Sequence, residues 1–261
     1  MTVTNGVLAI LLASAVAAAD GGATESAQAQ LDRLQEAARS VHTVHMKSRT
    51  RRKSKTENYR ASTETWMSRD DDVVRMRREE SIRVTDYLSD PVRFIHARSL
   101  VVVDGEHHWR EWEVDRRVRV SRQKAVAKEP LAALQAQCRE GQAKVLGHRE
   151  ILGEPCVVIE FVIRGGIGQT KTTVWISERA GAVLQLWLQD PYGVMTRMTA
   201  TEFEAGVDVD ESLFVYTPPA GVVVKELDEA VDVQDVPDLT NKTWPPPTVS
   251  DVAEKTAREK G

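Results

Sequence analysis

Six histidines and two cysteines are the residues with the most chemistry to offer, and their spacing decides what they can do. His42 and His45 stand i, i+3, a spacing that shares a face only on a helix. They fall where the pattern turns into the alternation of a strand, which puts them on opposite faces. His107 and His108 are adjacent after a hairpin signal and diverge in the same way. No Cys or carboxylate cluster completes either set, so neither a metal nor another cofactor is expected. Gly165, Gly166 and Gly168 could cradle a phosphate only if a helix followed, whereas KTTVWIS is β-branched and alternating. The sequence has no nucleophile elbow, phosphate loop or paired-carboxylate motif in a recognisable context, so no catalytic residue is assigned and an enzyme is not expected.

Cys138 and Cys156 are separated by a stretch that reads as helix end, turn and strand start. In an oxidising compartment they could close a disulfide, worth about 3 kcal/mol by loop-closure entropy, or remain two buried thiols. That compartment follows from residues 4 to 19, an apolar run ending in Ala17, Ala18 and Ala19. It has the length and small-residue end of a secretory signal, although its n-region carries no Lys or Arg. It is short for a membrane span. Residues 1–19 are therefore expected to be a signal peptide cleaved near Ala19, and with no Cys at that point no lipid anchor is expected.

The 261 residues are 41% hydrophobic and 28% charged, enough for one sizeable core. The net charge of −4 conceals an asymmetry: residues 47 to 125 are rich in Arg, and the chain beyond about residue 200 is rich in Asp and Glu. Arg-rich strands could meet an anionic partner. Because Arg alternates with apolar residues instead of clustering, they read first as the solvated face of an antiparallel sheet. Without an aromatic-basic platform or a helical reader, nucleic acid is not an expected partner.

The elements follow from hydrophobic period. Residues 25 to 41 form an amphipathic helix with Leu31, Leu34, Ala38 and Val41 on one stripe. From Val44 the period is two, and Val74 and Met76 alternate with Arg75 and Arg77, as Val118 and Val120 do with Arg117 and Arg119. Asp104-Gly105 predicts a two-residue type I′ hairpin within a meander over residues 99 to 121. Residues 128 to 140 read as an inserted helix with Leu131, Leu134 and Cys138 in register, ended by Gly141. Strands then resume, linked by turn chemistry at Gly153, Gly165, Gly181 and Gly193. Consecutive short links favour antiparallel neighbours. Asp210 to Val224 (DESLFVYTPPAGVVV) reads as a terminator: Leu213 and Phe214 close one end of the sheet, and Pro218 and Pro219 turn the chain away from it. Residues 20–227 form the domain. Residues 228–261 read as an acidic, Pro-containing and mostly disordered tail, in which Trp244 and Pro245 to Pro247 form a stiff spacer or a recognition motif.

The predicted class is mainly β with helices (α+β), a strongly curved sheet of about ten or more strands under two helices. Apolar surface that two helices leave uncovered would bind a partner or an acyl chain, because burying it gains about 25 cal/mol per Å². The expected lining is Val44, Met46, Trp66, Val74, Met76, Val118, Val120, Ile159, Phe161, Val174, Ile176, Leu186 and Leu188. For any single one of these, ordinary core packing competes with ligand contact.

The order of these elements resembles the LolA/LolB-like superfamily of periplasmic outer-membrane lipoprotein carriers, over about residues 25 to 224. The resemblance is carried by VVVDGEHHWREWEVDRRV, the inserted PLAAL helix, GEPCVVIEF, TTVWISERAGAVLQLWLQDPYG and DESLFVYTPPAGV, in that order. It implies an incomplete, curved antiparallel β-barrel with helices as a lid, and a monomer holding lipid or lipoprotein acyl chains in an apolar cavity. It also implies an inner-membrane release complex and an outer-membrane acceptor as partners. The family's gating arginine would correspond to Arg49, Arg51 or Arg52. Departures are the longer chain, the acidic tail and the Arg-rich strands. Relatives with this fold also serve as periplasmic stress sensors that bind an anti-sigma factor, so a regulatory module is the second implied role.

Overall fold

The computed structural model describes residues 26–70, 73–126, 131–140, 142–165, 168–227 and 231–232. Two helices, α1 (Ala27–Ser40) and α2 (Ala132–Glu140), accompany thirteen strands. The first six are β1 (Thr43–Lys53), β2 (Glu57–Asp70), β3 (Val73–Asp86), β4 (Arg93–Val103), β5 (His107–Val114) and β6 (Arg117–Val126). After α2 come β7 (Gln142–Ile151), β8 (Glu154–Gly165), β9 (Gly168–Ser177), β10 (Val183–Gln189) and β11 (Met195–Ala205), followed by the short β12 (Val224–Glu226) and β13 (Val231–Asp232).

The strands run in the order β12-β6-β5-β4-β3-β2-β1-β11-β10-β9-β8-β7, with β13 also on β6. β11 closes back onto β1, so the two meanders join in the middle of the sheet. From β6 to β7 each pairing is antiparallel, and the sheet is open and curved, not closed into a barrel. The mainly β class with two helices and an incomplete curved antiparallel sheet is thus the observed architecture.

Both helices sit on one side, the helix face. The Ser26 hydroxyl accepts from the Ala29 amide at 3.1 Å and caps α1. Leu31, Leu34 and Ala38 form its buried stripe. At Gly181, φ is +61° and an added Cβ would lie 2.5 Å from Ala38 Cβ and 2.7 Å from the Leu34 carbonyl oxygen. A residue without a side chain is what lets α1 seat on the β9–β10 turn. Leu31, Leu34, Leu131 and Leu134 then pack against Val157, Ile159, Phe161, Val174, Ile176, Leu186, Leu188 and Met198 as the principal core.

Two local expectations are corrected. The β4–β5 turn is shifted by one residue: Asp104 N donates to the His107 carbonyl, Gly105 alone has positive φ, and the loop residues are Gly105 and Glu106. The Asp104 carboxylate causes the shift, since it accepts from the amides of Glu106 and His107 and from the Trp109 indole. The two-residue turns with positive φ at both positions are Asp115–Arg116, which contains no glycine, and Leu152–Gly153. Pro218 and Pro219 do not turn the chain off the sheet: it reverses near Gly221 and rejoins as β12, parallel to β6. The cysteines are both free, Cys138 beside the helix-covered core and Cys156 in a separate cluster with Leu184 and Ala200. The expected signal peptide and most of the expected tail lie outside the described residues, although β13 continues the sheet beyond residue 227.

Candidate functional site

Register assigns every strand side chain to one of two faces. Val44 and Met46 on β1 stand opposite Met67 and Thr65 on β2, and Met67 stands opposite Met76 on β3. Met46 also pairs with Phe203 on β11, whose Met198 packs beneath the helices. Val44, Met46, Val74 and Met76 therefore share the helix face with Ile159, Phe161, Val174, Ile176, Leu186 and Leu188. The last six pack beneath α1 and α2, none of them more than 8% exposed, so they form a filled core and not an open lining. Val74 and Met76 belong to a separate cluster with Val101 and Val103. A third cluster, Tyr59, Ala61, Ile82 and Ala97, lies on β2, β3 and β4, toward the other ends of β3 and β4.

Trp66, Val118 and Val120 do not share this lining. Trp66 stands opposite His45 and stacks on its ring at 5.4 Å, on the far face. On β6 the pairings Glu111–Val120 and Trp112–Arg119 place both valines on that far face and turn Arg117 and Arg119 to the helix face. The reason is the terminal segment. A short 3-10 helix (Glu211–Phe214) lies against β3, with Arg75 paired to Glu211 at 3.1 Å and Arg77 donating to the Leu213 carbonyl at 3.3 Å. Tyr216 then donates to Glu111 at 2.6 Å and its ring meets Trp109 at 5.3 Å. The path ends with Val224 beside Val120 and with Glu226 paired to Arg122. This strap supplies an apolar cover on the far face, where Val102, Val120 and Phe214 are buried.

Of the three candidate gating arginines, Arg52 alone points to the helix face, opposite Tyr59 and Thr196, and it is held by Glu57 through Nε at 3.0 Å and through Nη2. Arg49 and Arg51 point to the far face.

On the helix face the part away from α1 and α2 carries polar groups among its buried apolar clusters. Tyr59 donates to Glu80 at 3.2 Å, and burial followed by the Glu80 charge pushes the phenol well above its ordinary range. His108 is buried, its Nδ1 accepts from Gln123 Nε2 at 3.1 Å, and its Nε2 has no hydrogen-bond partner among the described residues. Burial, reinforced by Arg110 and Arg78, lowers its pKa to about 4, so the imidazole is neutral.

The far face is banded by charge. Arg197 stands opposite Arg51, Arg51 opposite Arg60, Arg60 opposite Arg83, and Arg83 opposite His96. Two residues along, Arg49, Ser62, Ser81 and Arg98 form the next row. Beyond it comes an acidic row, Glu202, Glu64, Glu79 and Glu111, interrupted by Lys47 and Leu100. Lys47 pairs with Glu202 at 2.7 Å, and that hydrogen bond raises its pKa. A depression of about 480 Å³ lies where the second and third rows meet. Among the described residues no group of three His, Cys, Asp or Glu side chains is placed to hold a metal ion.

No family model matches the sequence, and no curated protein matches it. Similarity is found among solved structures. The chain is similar to MucB. The Pseudomonas aeruginosa MucA/MucB complex structure aligns at 16% identity over 73% of this chain and 60% of the matched chain, with a TM-score of 0.45. LprF from Mycobacterium bovis aligns at 14% identity over 70% of this chain and 95% of LprF, with a TM-score of 0.41. A putative outer membrane lipoprotein-sorting protein domain from Vibrio parahaemolyticus aligns at 8% identity over 72% and 95%, with a TM-score of 0.31. The chain spans about three fifths of the MucB chains it matches. With every score below 0.5, the functional argument rests on this chain's own residues.

Proposed function

We propose that the protein is an exported, periplasmic binding protein that receives the acyl chains of a lipid or lipoprotein on the helix face and carries them toward the outer membrane. The observation that supports this reading is the division of that face. α1 and α2 contribute to the principal core, but no helix residue belongs to the two apolar clusters on β2 to β5. Val74, Met76, Val101 and Val103 are themselves no more than 8% exposed, so hydrocarbon enters beside them as side chains swing aside, which costs far less than lifting a packed helix and leaves the principal core intact. Burying a chain there would follow the same area rule that buries the core.

A second reading, a sensor or regulatory module that binds a protein, is favoured by the charge-lined depression on the far face, whose alternating Arg and Glu rows suit a polar polypeptide. Mass spectrometry of lipid extracted from the protein purified from its native envelope separates the two. Co-purifying acyl lipid at near-stoichiometric amounts is expected. Protein free of lipid and held in a stable complex with another protein would replace the carrier reading with the sensor.

A further inference from the structure

The basic row on the far face has two features that a merely solvated face lacks. Its charges are directly cross-strand, and Arg51, Arg60 and Arg83 have no carboxylate partner among the described residues. Like charges facing each other across a sheet destabilise it. With strands about 4.8 Å apart, the five positions from Arg197 to His96 extend over about 19 Å. All five side chains are exposed.

The row also lies at one end of the sheet, and the turns at that end are apolar. Tyr87 is 45% exposed, Leu88 76% and Val92 44%, all in the β3–β4 connection, Phe94 at the start of β4 is 73% exposed, and Tyr192 in the β10–β11 turn is 77% exposed. Register joins them to the row: Phe94 is two residues from His96 on the same face, and Gln189, Met195, Lys53, Asn58, Thr85 and Phe94 form the next rank toward the turns, followed on β2 to β4 by Glu57, Asp86 and Arg93. Trp187, 37% exposed with Arg197 stacked 4.9 Å over its ring, stands at the other end of the basic row. Three nearby carboxylates are engaged locally, while Asp90 in the β3–β4 turn is exposed. Glu57 binds Arg52, Asp86 accepts from Ser89 and the Leu88 amide, and Asp190 accepts from the amides of Tyr192 and Val194.

We propose that this end of the sheet docks on an anionic lipid bilayer, with the arginine row on the lipid phosphates and the Leu88, Phe94 and Tyr192 turns in the interfacial region. Guanidinium groups pair with phosphate oxygens in a bidentate manner, and exposed aromatic side chains prefer the headgroup depth. An acidic polypeptide would satisfy the arginines but leave the apolar turns in water, which is why the bilayer is the better fit. The surface is distinct from the acyl-binding clusters on the helix face, so the two proposals can fail separately.

Flotation of the full chain with vesicles of phosphatidylcholine alone, or with about a third phosphatidylglycerol, tests this. Binding is expected only to the anionic vesicles and is expected to weaken with salt. The triple substitution R51Q/R60Q/R83Q is expected to weaken it about 100-fold, about fivefold for each arginine, and Phe94→Ser to weaken it without changing the salt dependence. Because the triple substitution removes like-charge repulsion, its Tm at low salt should equal or exceed that of the parent, which separates lost binding from lost folding. Equal binding to neutral vesicles, or anionic binding unchanged by the triple substitution, would overturn the proposal. So would capture of soluble polyglutamate by a chain that ignores the anionic vesicles.

Discussion

The Tyr216 hydroxyl donates to the Glu111 carboxylate at 2.6 Å across 105 positions of chain, and this bond fastens the terminal strap to the far face of the sheet. With Phe214 buried on one side and Val224 paired to Val120 on the other, the strap should be part of the cooperative fold. Tyr216→Phe is expected to cost about 1 kcal/mol and Phe214→Ala about 3 kcal/mol in urea unfolding. A Phe214→Ala variant as stable as the parent would show that the strap is only loosely applied.

Phe161 and Leu186 pack in the core beneath α1 and α2, both almost fully buried. Phe161→Ala should cost about 3–5 kcal/mol, and Glu at either position should abolish folding, as read by far-UV circular dichroism. A folded Phe161→Glu protein that had lost only the binding of a hydrophobic probe would instead place this residue in an open site.

His108 gives stability a pH dependence with a defined sign. Its folded pKa, about 4, lies below the ordinary value of 6.5, so between these limits the unfolded chain binds the proton and the folded one does not. The neutral imidazole's contribution is intact above pH 6.5 and is lost as the pH falls toward 4, by about 3 kcal/mol in all. Replacing it in His108→Phe should flatten that part of the curve. A parent protein whose stability is level from pH 6.5 to 4 would contradict the assignment.

Two thiols are expected per chain when the denatured, unreduced protein is titrated with a thiol reagent, since Cys138 and Cys156 are both free. In the native state Cys156 should react much more slowly, because burial pushes its thiol up to about 11. Fewer than two thiols after denaturation would reinstate a bridge.

The helices, the strand alternation and most of the turns were legible in the sequence because each depends on neighbours within a few residues. The period of Leu31, Leu34 and Ala38 is local, and so is the contrast of Val74 with Arg75. Which face an alternating strand buries is not local. Val118 and Val120 have the same pattern as Val74 and Met76, yet register turns them the other way, to the face where a segment about a hundred residues later runs beside Val120. Trp66 was misplaced for a related reason, since only its pairing with His45 reveals its side. The same limit hid the arginine row. Residues 51, 60, 83 and 197 show no clustering along the chain, and they become a row only through register.

The banding separates charge along the far face as well as shaping a binding surface. Arg51, Arg60, Arg83 and Arg197 lie toward one end of the sheet, the Glu64, Glu79, Glu111 and Glu202 row follows, and Arg77 and Arg122 stand beyond it. Near a negatively charged surface the exposed basic band is attracted before any atom touches, which favours approach with the Leu88 and Tyr192 turns leading. Orientation would then be decided during diffusion, and contact would only confirm it. A charge-neutral mixture of the same residues, scattered over the same face, would collide just as often and in every attitude.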